Sequence, residues 1–574
     1  MTKSPAHRNA FIATGILSLI ATFCLWKSDN DRTLHPDIAH ATSAARNLLT
    51  GNGFSTDLIC YEQHYQQQVW PAKQTVFPFG YPSMIAALRS LGVPFRTAAQ
   101  ILSLSGFFCV PLLIFFAARR MERTPMIAML LGLLWQCAPM NWYNVHEKQT
   151  ESLFVAFTLG SMILLFAKEN RTSRFLLAGL CAGIACSLRY AGVFWLLTVG
   201  IVMAPGVLRN WKQVVREGFL FFTIPGAIVC GMFVRNRLVA GEVSGGIQAI
   251  STKSWRLTLE HVYYALSRLV GLDENDLQSH HPAELLFAIG LIIGCVLVLN
   301  SLVRQRKTFF RLMADCAIGR AACFVYLIVT MVLLTWLEKT TTVNLSPRMI
   351  LPLLSFILLV TADVIAFARD GLMESRSWRY TVGSVATVLL VGTLIAQGDV
   401  YQEIIHQPER LGLVRDVLSA PVNRSDFLDL QLAQNRNSEE SCSALQLIRG
   451  KRVLTNEDHM LPEVTGEGAL GLTASVYTTR EWSNAEVETL ARQQAVELVV
   501  LFTSITPRVS NEFFDGLIAD HGDEALPHWL TPVFVIADLR LYRVENTAPN
   551  LSMGAVHVSE NADRHRESSV LESQ

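Results

Sequence analysis

The sequence predicts an α-helical polytopic membrane protein of about eleven transmembrane helices with a C-terminal extracytoplasmic α/β domain. Three observations support this fold class. The 574 residues are 51% hydrophobic and only 17% charged, whereas soluble domains carry about 25% charged residues. The mean hydropathy is +0.32. Apolar runs near the length of about 20 residues that a bilayer core requires recur as far as residue 397.

The runs that could span a bilayer are each about 17–25 residues long, except the longer run 175–207. They lie near 10–26, 97–118, 125–144, 151–167, 175–207, 217–236, 284–303, 320–337, 346–368 and 380–397. The run 175–207 is long enough for two short spans joined by a turn at 189–192, and we count it as two. The first run is interpreted as an anchor rather than a signal peptide, because Trp26-Lys27-Ser28-Asp29 follows it instead of a small-residue cleavage site.

The distribution of lysine and arginine sets the predicted orientation, because short loops rich in these residues favour the cytoplasm. With the N-terminus inside, basic clusters at 119–123, 168–174, 209–216, 304–311 and 369–379 all lie in cytoplasmic loops. Counting 175–207 as one span would put Arg209, Lys212 and Arg216 outside. We therefore predict a multi-pass protein of the cell (inner) membrane with a cytoplasmic N-terminus and an extracytoplasmic C-terminal domain.

Three parts of the chain follow from this topology. Residues 1–398 form a transmembrane domain with a first outer loop at 27–96, residues 399–545 an extracytoplasmic α/β domain, and residues 546–574 a disordered tail. The α/β domain is predicted to have strands at 450–455 and 497–502, with a capped helix from Ser483 to Ala495 between them. Cys60 and Cys442 fall in outer segments, and they are either a disulfide pair or two unrelated thiols.

The first outer loop contains residues that could carry chemistry. A helix from about Pro36 to Thr50 would put Asp37 in its first turn, where the helix dipole favours a carboxylate. Glycines after Thr50 would end it. The run Phe77-Pro78-Phe79-Gly80-Tyr81-Pro82 then precedes an apolar stretch too short to span. We expect that stretch to lie in the membrane interface or to re-enter the membrane.

These segments resemble the C-type (GT-C) glycosyltransferases, including bacterial relatives of the protein O-mannosyltransferases and of the lipid A aminoarabinose transferases. The resemblance rests on an acidic residue after the first span, the run A-R-N-L-x-x-G-x-G-F at 45–54 and the element P-x-G-Y-P at 78–82. It extends over roughly 1–400 through the runs 150–154 (TESLF), 235–236 (RN) and 346–352 (SPRMILP). The chain departs from the family at Pro36, where many relatives have a second acid, and at Met349, where they have tyrosine. Lys73 does not align with the lysine of the aminoarabinose transferases.

The resemblance implies a glycosyltransferase that moves a hexosyl or pentosyl group from a polyprenyl-phosphate donor to an acceptor hydroxyl on the extracytoplasmic face. The acceptor would be a glycan, a lipid or a protein, and the other partners would be membrane lipids. The balanced charge, with 48 Lys+Arg and 48 Asp+Glu, argues against a nucleic-acid partner. No cofactor is predicted, and a divalent metal stays open because some members of the superfamily use one.

Six residues are the candidate site. Asp37 would be the catalytic base, and Glu151 would be a second catalytic carboxylate, with Glu147 as the competing choice. The arginines fit phosphate oxygens in bidentate geometry. The predicted substrate-binding residues are Arg189, Arg235, Arg348 and Tyr81.

Each candidate also has a simpler interpretation. Asp37 could only cap an interfacial helix, and the arginines could only anchor span ends at the lipid headgroups. His35, His40 and His64 are interpreted as polar loop residues rather than metal ligands.

Two other functions compete with the enzyme: a transporter or flippase of lipid-linked glycans, and a non-catalytic membrane scaffold. A transporter should have repeat-related halves and interrupted helices at the midplane. In an enzyme, Asp37, Glu151 and Arg235 should face one outer cavity.

Overall fold

The computed structural model describes residues 5–28, 35–165, 172–243, 245, 253–269, 318–341, 345–372, 421–422, 442–456, 461, 465, 468–472, 482–503, 512–519, 526–536 and 539–545. The predicted spans 284–303 and 380–397, the predicted tail 546–574 and the region around the predicted boundary at 398 lie outside the described residues.

Helices dominate the first part of the described chain. As far as residue 165 they are α1 (Pro5–Ser28), α2 (Pro36–Leu49), α3 (Glu62–Gln67), α4 (Gly80–Ser90), α5 (Phe95–Arg120), α6 (Pro125–Cys137), α7 (Pro139–His146) and α8 (Glu151–Leu165). They continue with α9 (Thr172–Leu188), α10 (Gly192–Ala240), α11 (Trp255–Leu269), α12 (Ile318–Thr340) and α13 (Pro347–Leu372). Several begin at a proline, which suits the first helical position because its missing N–H would have no partner there.

Within the described residues, four helical segments are long and apolar enough to cross a membrane: Pro5–Lys27, Phe95–Arg120, Asn210–Ala240 and Arg320–Thr340. Shorter apolar helices accompany them at Pro125–Cys137, Glu151–Leu165, Thr172–Leu188 and Gly192–Leu208. Large apolar side chains also lie exposed, such as Leu19 and Phe23 of α1, and contiguous apolar surface of this kind needs lipid or a partner around it. The protein is therefore membrane-embedded, and the total of about eleven spans stays a prediction.

The long helix α10 breaks at Asn210, where φ is −151° and ψ is 75°. A side chain at Gly206 would meet Val214, and one at Gly200 would meet Phe222, so the two halves of α10 fold back on each other as an antiparallel pair. The break lies in the basic segment 209–216, where the sequence predicts a short loop between spans. Helix α9 and the first half of α10 likewise match the interpretation of 175–207 as two segments.

Glycines let the helices of the bundle approach backbone to backbone. A Cβ atom at Gly106 of α5 would meet the backbone of Leu153 in α8, and one at Gly179 of α9 would meet the backbone of Phe221 in α10. Small residues at such crossings favour close helix packing in membranes. A Cβ atom at Gly160 of α8 would meet the side chain of Cys181 in α9, so helices α5, α8, α9 and α10 form one packed group.

The strands belong to two regions that are far apart in sequence. The first predicted outer loop supplies β1 (Ser55–Thr56), β2 (Leu58–Ile59) and β3 (Ala72–Lys73). The C-terminal region supplies β4 (Pro421–Val422), β5 (Cys442–Ser443), β6 (Val453–Thr455), β7 (Ala469–Leu470), β8 (Leu498–Phe502), β9 (Leu530–Ile536) and β10 (Leu539–Val544). It also supplies the short helices α14 (Ala444–Ile448), α15 (Asn484–Gln493) and α16 (Glu512–Ala519).

A six-stranded sheet, here named the C-terminal sheet, has the order β2-β7-β6-β8-β10-β9. Strands β2, β7, β6 and β8 are parallel, whereas β10 pairs antiparallel with both β8 and β9. Strands β6 and β8 fall inside the two predicted strands. Helix α15 begins with a capping box in which Ser483 and Glu486 bond to each other's backbone, as its sequence predicts. Strand β2 was not predicted, and through it the first outer loop forms one edge of the sheet.

Candidate active site

Helix α2 carries Asp37 in its first turn because Pro36 and His35 define where the helix begins. Pro36 occupies the first turn, and Nδ1 of His35 accepts a hydrogen bond from the backbone N–H of Asp37 at 3.2 Å. The helix cap is therefore His35, so the Asp37 carboxylate is available for another partner. The apolar face of α2, which includes Ile38 and Ala45, packs on α4 and α5.

That other partner is Arg348, in the first turn of α13. Arg348 Nη1 donates to Asp37 Oδ2 at 2.6 Å, and the two side chains are 24% and 25% exposed. The same Nη1 lies 3.3 Å from Nδ1 and 3.2 Å from Nε2 of His35. The guanidinium group therefore lies against both the carboxylate and the imidazole ring.

The environment holds Asp37 in its charged form. Burial on its own would raise the pKa of this carboxyl group, but the guanidinium group of Arg348, which also donates a hydrogen bond to it, outweighs burial. His35 and Arg189 lower the pKa further. Together they hold the pKa of Asp37 well below its ordinary value of 3.8, as opposite charges within contact distance do.

His35 connects Asp37 to the competing carboxylate, Glu147. Nε2 of His35 lies 3.9 Å from Glu147 Oε2, while its Nδ1 lies 3.7 Å from Asp37 Oδ2. Gln149 also donates to Glu147 Oε2, at 2.5 Å. Glu147 follows the C-terminal end of α7 and is buried. The loop between α7 and α8 thus brings a second carboxylate to the imidazole.

Glu151 forms a separate buried ion pair. It begins α8, is 1% exposed and accepts a hydrogen bond through Oε1 from Arg189 Nη1. Its Oε2 atom is buried and has no hydrogen-bond partner within the part of the chain that the structure describes. Arg189 lies in the turn between α9 and α10 and also lowers the pKa of Asp37. The two ion pairs therefore belong to one neighbourhood.

Arg235 has a different kind of partner. Its Nη1 donates to the carbonyl oxygen of Gln74 at 2.7 Å and its Nη2 to that of Phe54 at 3.0 Å. The guanidinium carbon lies 4.9 Å from the centre of the Phe54 ring. Strands β1 and β3 pair antiparallel, and Phe54 and Gln74 flank this pair, here called the β1–β3 hairpin. Arg235 therefore fixes the hairpin to α10, rather than binding a carboxylate.

Tyr81 lies in the core beneath the site. Its hydroxyl oxygen is 2.7 Å from the carbonyl oxygen of Lys148 and 3.0 Å from that of Ala99. Burial raises the pKa of Tyr81 far above the usual range, with a smaller effect from Glu151. The residue consequently holds the loop that carries Glu147 and Glu151 against α5.

The remaining histidines of the loop line a buried polar cluster. His40 Nε2 lies 3.1 Å from Cys60 Sγ, and the His40 and His64 rings are 5.9 Å apart. Burial and the proximity of His40 lower the pKa of His64 to about 3, so it is neutral. Among the residues that the structure describes, no group of three His, Cys, Asp or Glu side chains could hold a metal ion.

Comparison of the structure with solved structures gives extensive matches at low identity. ArnT from Cupriavidus metallidurans bound to undecaprenyl phosphate is 12% identical, with a TM-score of 0.52, over 93% of this chain and 98% of that chain. The Archaeoglobus fulgidus oligosaccharyltransferase in its apo form is 11% identical, with a TM-score of 0.53, over 88% of this chain and 70% of that chain. The same values describe the match to AglB from that organism in complex with an inhibitory peptide and a dolichol-phosphate. The chain has the GT-C fold. No protein-family model and no curated protein sequence matches it.

Within this GT-C fold, the predicted site residues separate into two groups. Asp37, Glu151, Arg189 and Arg348 come together around the start of α2. Arg235 instead contacts the hairpin backbone and Tyr81 is enclosed in the core. Sequence analysis missed the role of His35, and the signal that could have found it is its position directly before the proline that begins α2.

Proposed function

We propose that this chain is a membrane glycosyltransferase that transfers a sugar from a polyprenyl-phosphate-linked donor to an acceptor hydroxyl. The observation that carries the proposal is the pair of ion pairs, Asp37 with Arg348 and Glu151 with Arg189. Such a cluster combines a proton acceptor with two cations suited to phosphate. The undecaprenyl phosphate and dolichol-phosphate bound in two structures of the same fold support a lipid-linked donor.

The proposed reaction is a displacement at the anomeric carbon of the donor sugar. The acceptor oxygen forms a bond to that carbon, while the bond from the carbon to the phosphate oxygen breaks. The acceptor proton passes to the Asp37 carboxylate, and the lipid phosphate leaves with the bonding electron pair. Base catalysis of this kind contributes about 10²–10⁴-fold, and Arg348 and Arg189 stabilise the departing phosphate through guanidinium hydrogen bonds.

In this proposal Arg348 serves both the base and the leaving group. A donor phosphate that binds its guanidinium competes with the Asp37 carboxylate, which is held there at 2.6 Å. As Asp37 loses part of that contact, its pKa rises towards the ordinary value and its affinity for a proton increases. Donor binding thereby prepares the base for the acceptor.

The other predicted residues have supporting roles in the proposal. Arg235 holds the β1–β3 hairpin and Tyr81 holds the loop that carries Glu151, so both act on the shape of the site. No step is assigned to a metal ion or a cofactor, because the described carboxylates of the site are paired with arginines or lie beside His35. The N-terminus is cytoplasmic, and residues 399–545 lie on the extracytoplasmic side of the inner membrane, where they select the glycan, lipid or protein acceptor.

The test uses the purified full chain with a panel of radiolabelled polyprenyl-phosphate hexoses and pentoses and a membrane extract as acceptor. Asp37→Asn keeps the size of the side chain and removes the proton acceptor. We expect turnover to fall about 10²-fold or more while donor binding and expression persist. Glu497→Gln is the matched control, since Glu497 forms an exposed pair with Lys451 in the C-terminal region, and its turnover should equal that of the wild type.

Two results would contradict the proposal, one concerning the identity of the base and one concerning the function itself. Near-normal turnover in Asp37→Asn, together with loss in Glu147→Gln or Glu151→Gln, would move the base to that carboxylate. If the wild type transferred no sugar from any donor of the panel, the glycosyltransferase function itself would be overturned.

A further inference from the structure

Asp57, which lies between β1 and β2 in the first outer loop, contacts both helix α2 and the C-terminal sheet. Its carboxylate oxygen Oδ2 accepts hydrogen bonds from Asn47 Nδ2 at 2.9 Å and from the Ser43 hydroxyl at 3.4 Å. Its backbone N–H donates to Ser43 Oγ at 2.8 Å. Both partners lie on the buried polar side of α2.

The carbonyl oxygen of the same residue belongs to the sheet. It accepts a hydrogen bond from the backbone N–H of Ala469 at 3.2 Å, where β2 begins to pair in parallel with β7. A Cβ atom at Gly468 would approach the Asp57 carbonyl oxygen to 2.8 Å and the Asp57 Cβ atom to 2.9 Å. The residue is thus enclosed between α2 and the sheet edge.

The loop beyond Asp57 is built into the C-terminal region. Ile59 and Tyr65 are buried in the same apolar cluster as Leu470 and Trp482. The Tyr65 hydroxyl donates to the carbonyl oxygen of Gly471 at 2.7 Å, and its ring packs edge-on against Trp482 with 5.3 Å between ring centres. These contacts make the loop part of the C-terminal core rather than a separate cover over the membrane domain.

Helix α2 needs a directional restraint that its apolar face does not provide. Packing of that face on α4 and α5 is non-directional, so it holds the helix down without fixing its rotation or its position along the axis. Hydrogen bonds from Ser43 and Asn47 to one carboxylate restrain both, and the contacts of His40 with Thr56 and Cys60 add to them. Ser43 lies six residues from Asp37, about 9 Å along the helix, so a shift at Ser43 is carried rigidly to the Asp37 carboxylate.

We propose that Asp57 is a positioning residue for sugar transfer, which fixes helix α2, and with it Asp37, against the C-terminal sheet. This inference rests on the proposed function. It assigns the C-terminal region a part in the reaction through the geometry of Asp37, in addition to any contact with the acceptor. A misplacement of about 1 Å can cost a reaction about 10²-fold, so the loss of this restraint should be visible in turnover.

The first test is Asp57→Ala in the full chain, which removes the oxygen that accepts from both Ser43 and Asn47. We expect kcat to fall about 10- to 100-fold, while KM for the donor stays near the wild-type value because Arg348 and Arg189 are untouched. Asp57→Asn keeps a side-chain oxygen that accepts the same two hydrogen bonds, and it should recover most of kcat. A residue that acted only through its negative charge would not be rescued by this conservative change.

The second test approaches the contact from the sheet. Gly468→Ala pushes against the Asp57 carbonyl oxygen and the Trp70 ring, and we expect the same loss of kcat without a matching rise in KM. The control is Lys451→Ala, which removes an exposed ion pair of the C-terminal region and should leave kcat unchanged. A wild-type kcat in Asp57→Ala, or a loss in Asp57→Ala that is no smaller in Asp57→Asn, would overturn the inference.

Hydrogen exchange separates this inference from the proposed function. The amides of residues 38–49 should exchange faster in Asp57→Ala than in the wild type, and in Asp57→Asn they should be slow again. If the wild type transfers no sugar from any donor, the proposed function fails, and the exchange rates still report whether Asp57 fixes α2. Unchanged exchange in folded Asp57→Ala would overturn the positioning role whatever the activity.

Discussion

Replacing Arg348 with glutamine should move the pH dependence of the reaction in a direction that the structure determines. Arg348 Nη1 lies 2.6 Å from Asp37 Oδ2 and is the principal charge that lowers the pKa of this carboxyl group against the effect of burial. In Arg348→Gln the burial remains and the largest opposing charge is lost. The pKa of Asp37 must therefore rise.

The size of the change follows from the strength of such pairs. An opposite charge in contact lowers the pKa of a carboxyl group by about 1–3 units, or about 1.4–4 kcal/mol. His35 and Arg189 still act on Asp37 in the variant, and Glu147 lies on the far side of His35. We expect the acid limb of kcat/KM to move up by about 1–3 pH units.

The sign follows from the role of Asp37 as a base, because only the carboxylate accepts a proton. We therefore expect the wild type to keep its activity below the ordinary pKa of an aspartate, and the variant to lose its activity at a higher pH than the wild type does. Stability follows the same pKa. The contribution of the ion pair is present in full above the pKa of unfolded aspartate and is lost as the pH falls through the lowered pKa of the folded protein.

The assay is the pH profile of residual kcat/KM, which reports ionisations of the free enzyme. Arg235→Gln is the control, because Arg235 contacts backbone carbonyl groups and is absent from the charges that act on Asp37. Its acid limb should coincide with that of the wild type even if its activity falls. Coincident acid limbs in Arg348→Gln and the wild type would refute Asp37 as the titrating base.

Three further results are expected. Gly80→Ala should destabilise the protein by about 1–3 kcal/mol, measured as a lower melting temperature in detergent, because the new Cβ would meet the backbone of Ser187. The control Gly226→Ala adds a Cβ in open space and should leave the melting temperature unchanged. A larger loss in Gly226→Ala than in Gly80→Ala would contradict the packing of α4 on α9. Arg189→Ala should destabilise the protein by about 3–5 kcal/mol, since it leaves the buried Glu151 carboxylate without its cation. The double variant Arg189→Ala/Glu151→Gln should recover much of this loss. If it does not, Arg189 stabilises the protein through another contact. Transfer should persist in excess EDTA, and its loss with recovery on adding a divalent cation would contradict a reaction without a metal.

Local sequence signals predicted those elements whose start and stop residues, such as proline, glycine or a capping serine, lie at their own ends. A proline at the start and glycines after the end indicated a helix from Pro36, and the structure has it at Pro36–Leu49. The pattern around Ser483 indicated a capped helix, and it begins there. The break in α10 was also predicted from a local signal, because it lies at Asn210 within the basic segment that was predicted to be a loop between spans.

Contacts between residues that are far apart in the sequence could not be predicted from such local signals. Strand β2 is two residues long, too short to show an alternating pattern, and its pairing with β7 depends on a partner more than 400 residues later in the chain. The contact of Arg348 with Asp37 also joins residues 311 positions apart. Nothing in either local sequence specifies that partner, so sequence analysis could assign a chemical type and a depth to each residue but no contact.

The three predicted phosphate arginines illustrate the consequence. All lie near the ends of apolar helices, and sequence alone treats them as equivalent cations near the lipid headgroups. In the structure their guanidinium groups have different partners. Arg189 and Arg348 each contact a carboxylate, whereas Arg235 contacts two backbone carbonyl groups. The guanidinium groups of Arg189 and Arg348 each meet a carboxylate through Nη1, and their other N–H groups can bind a phosphate while the carboxylate keeps its cation. Arg235 bridges two carbonyl groups, so binding a phosphate would break both hydrogen bonds and release the hairpin. Arg235 is therefore suited to shape the site, and Arg189 and Arg348 to bind the donor.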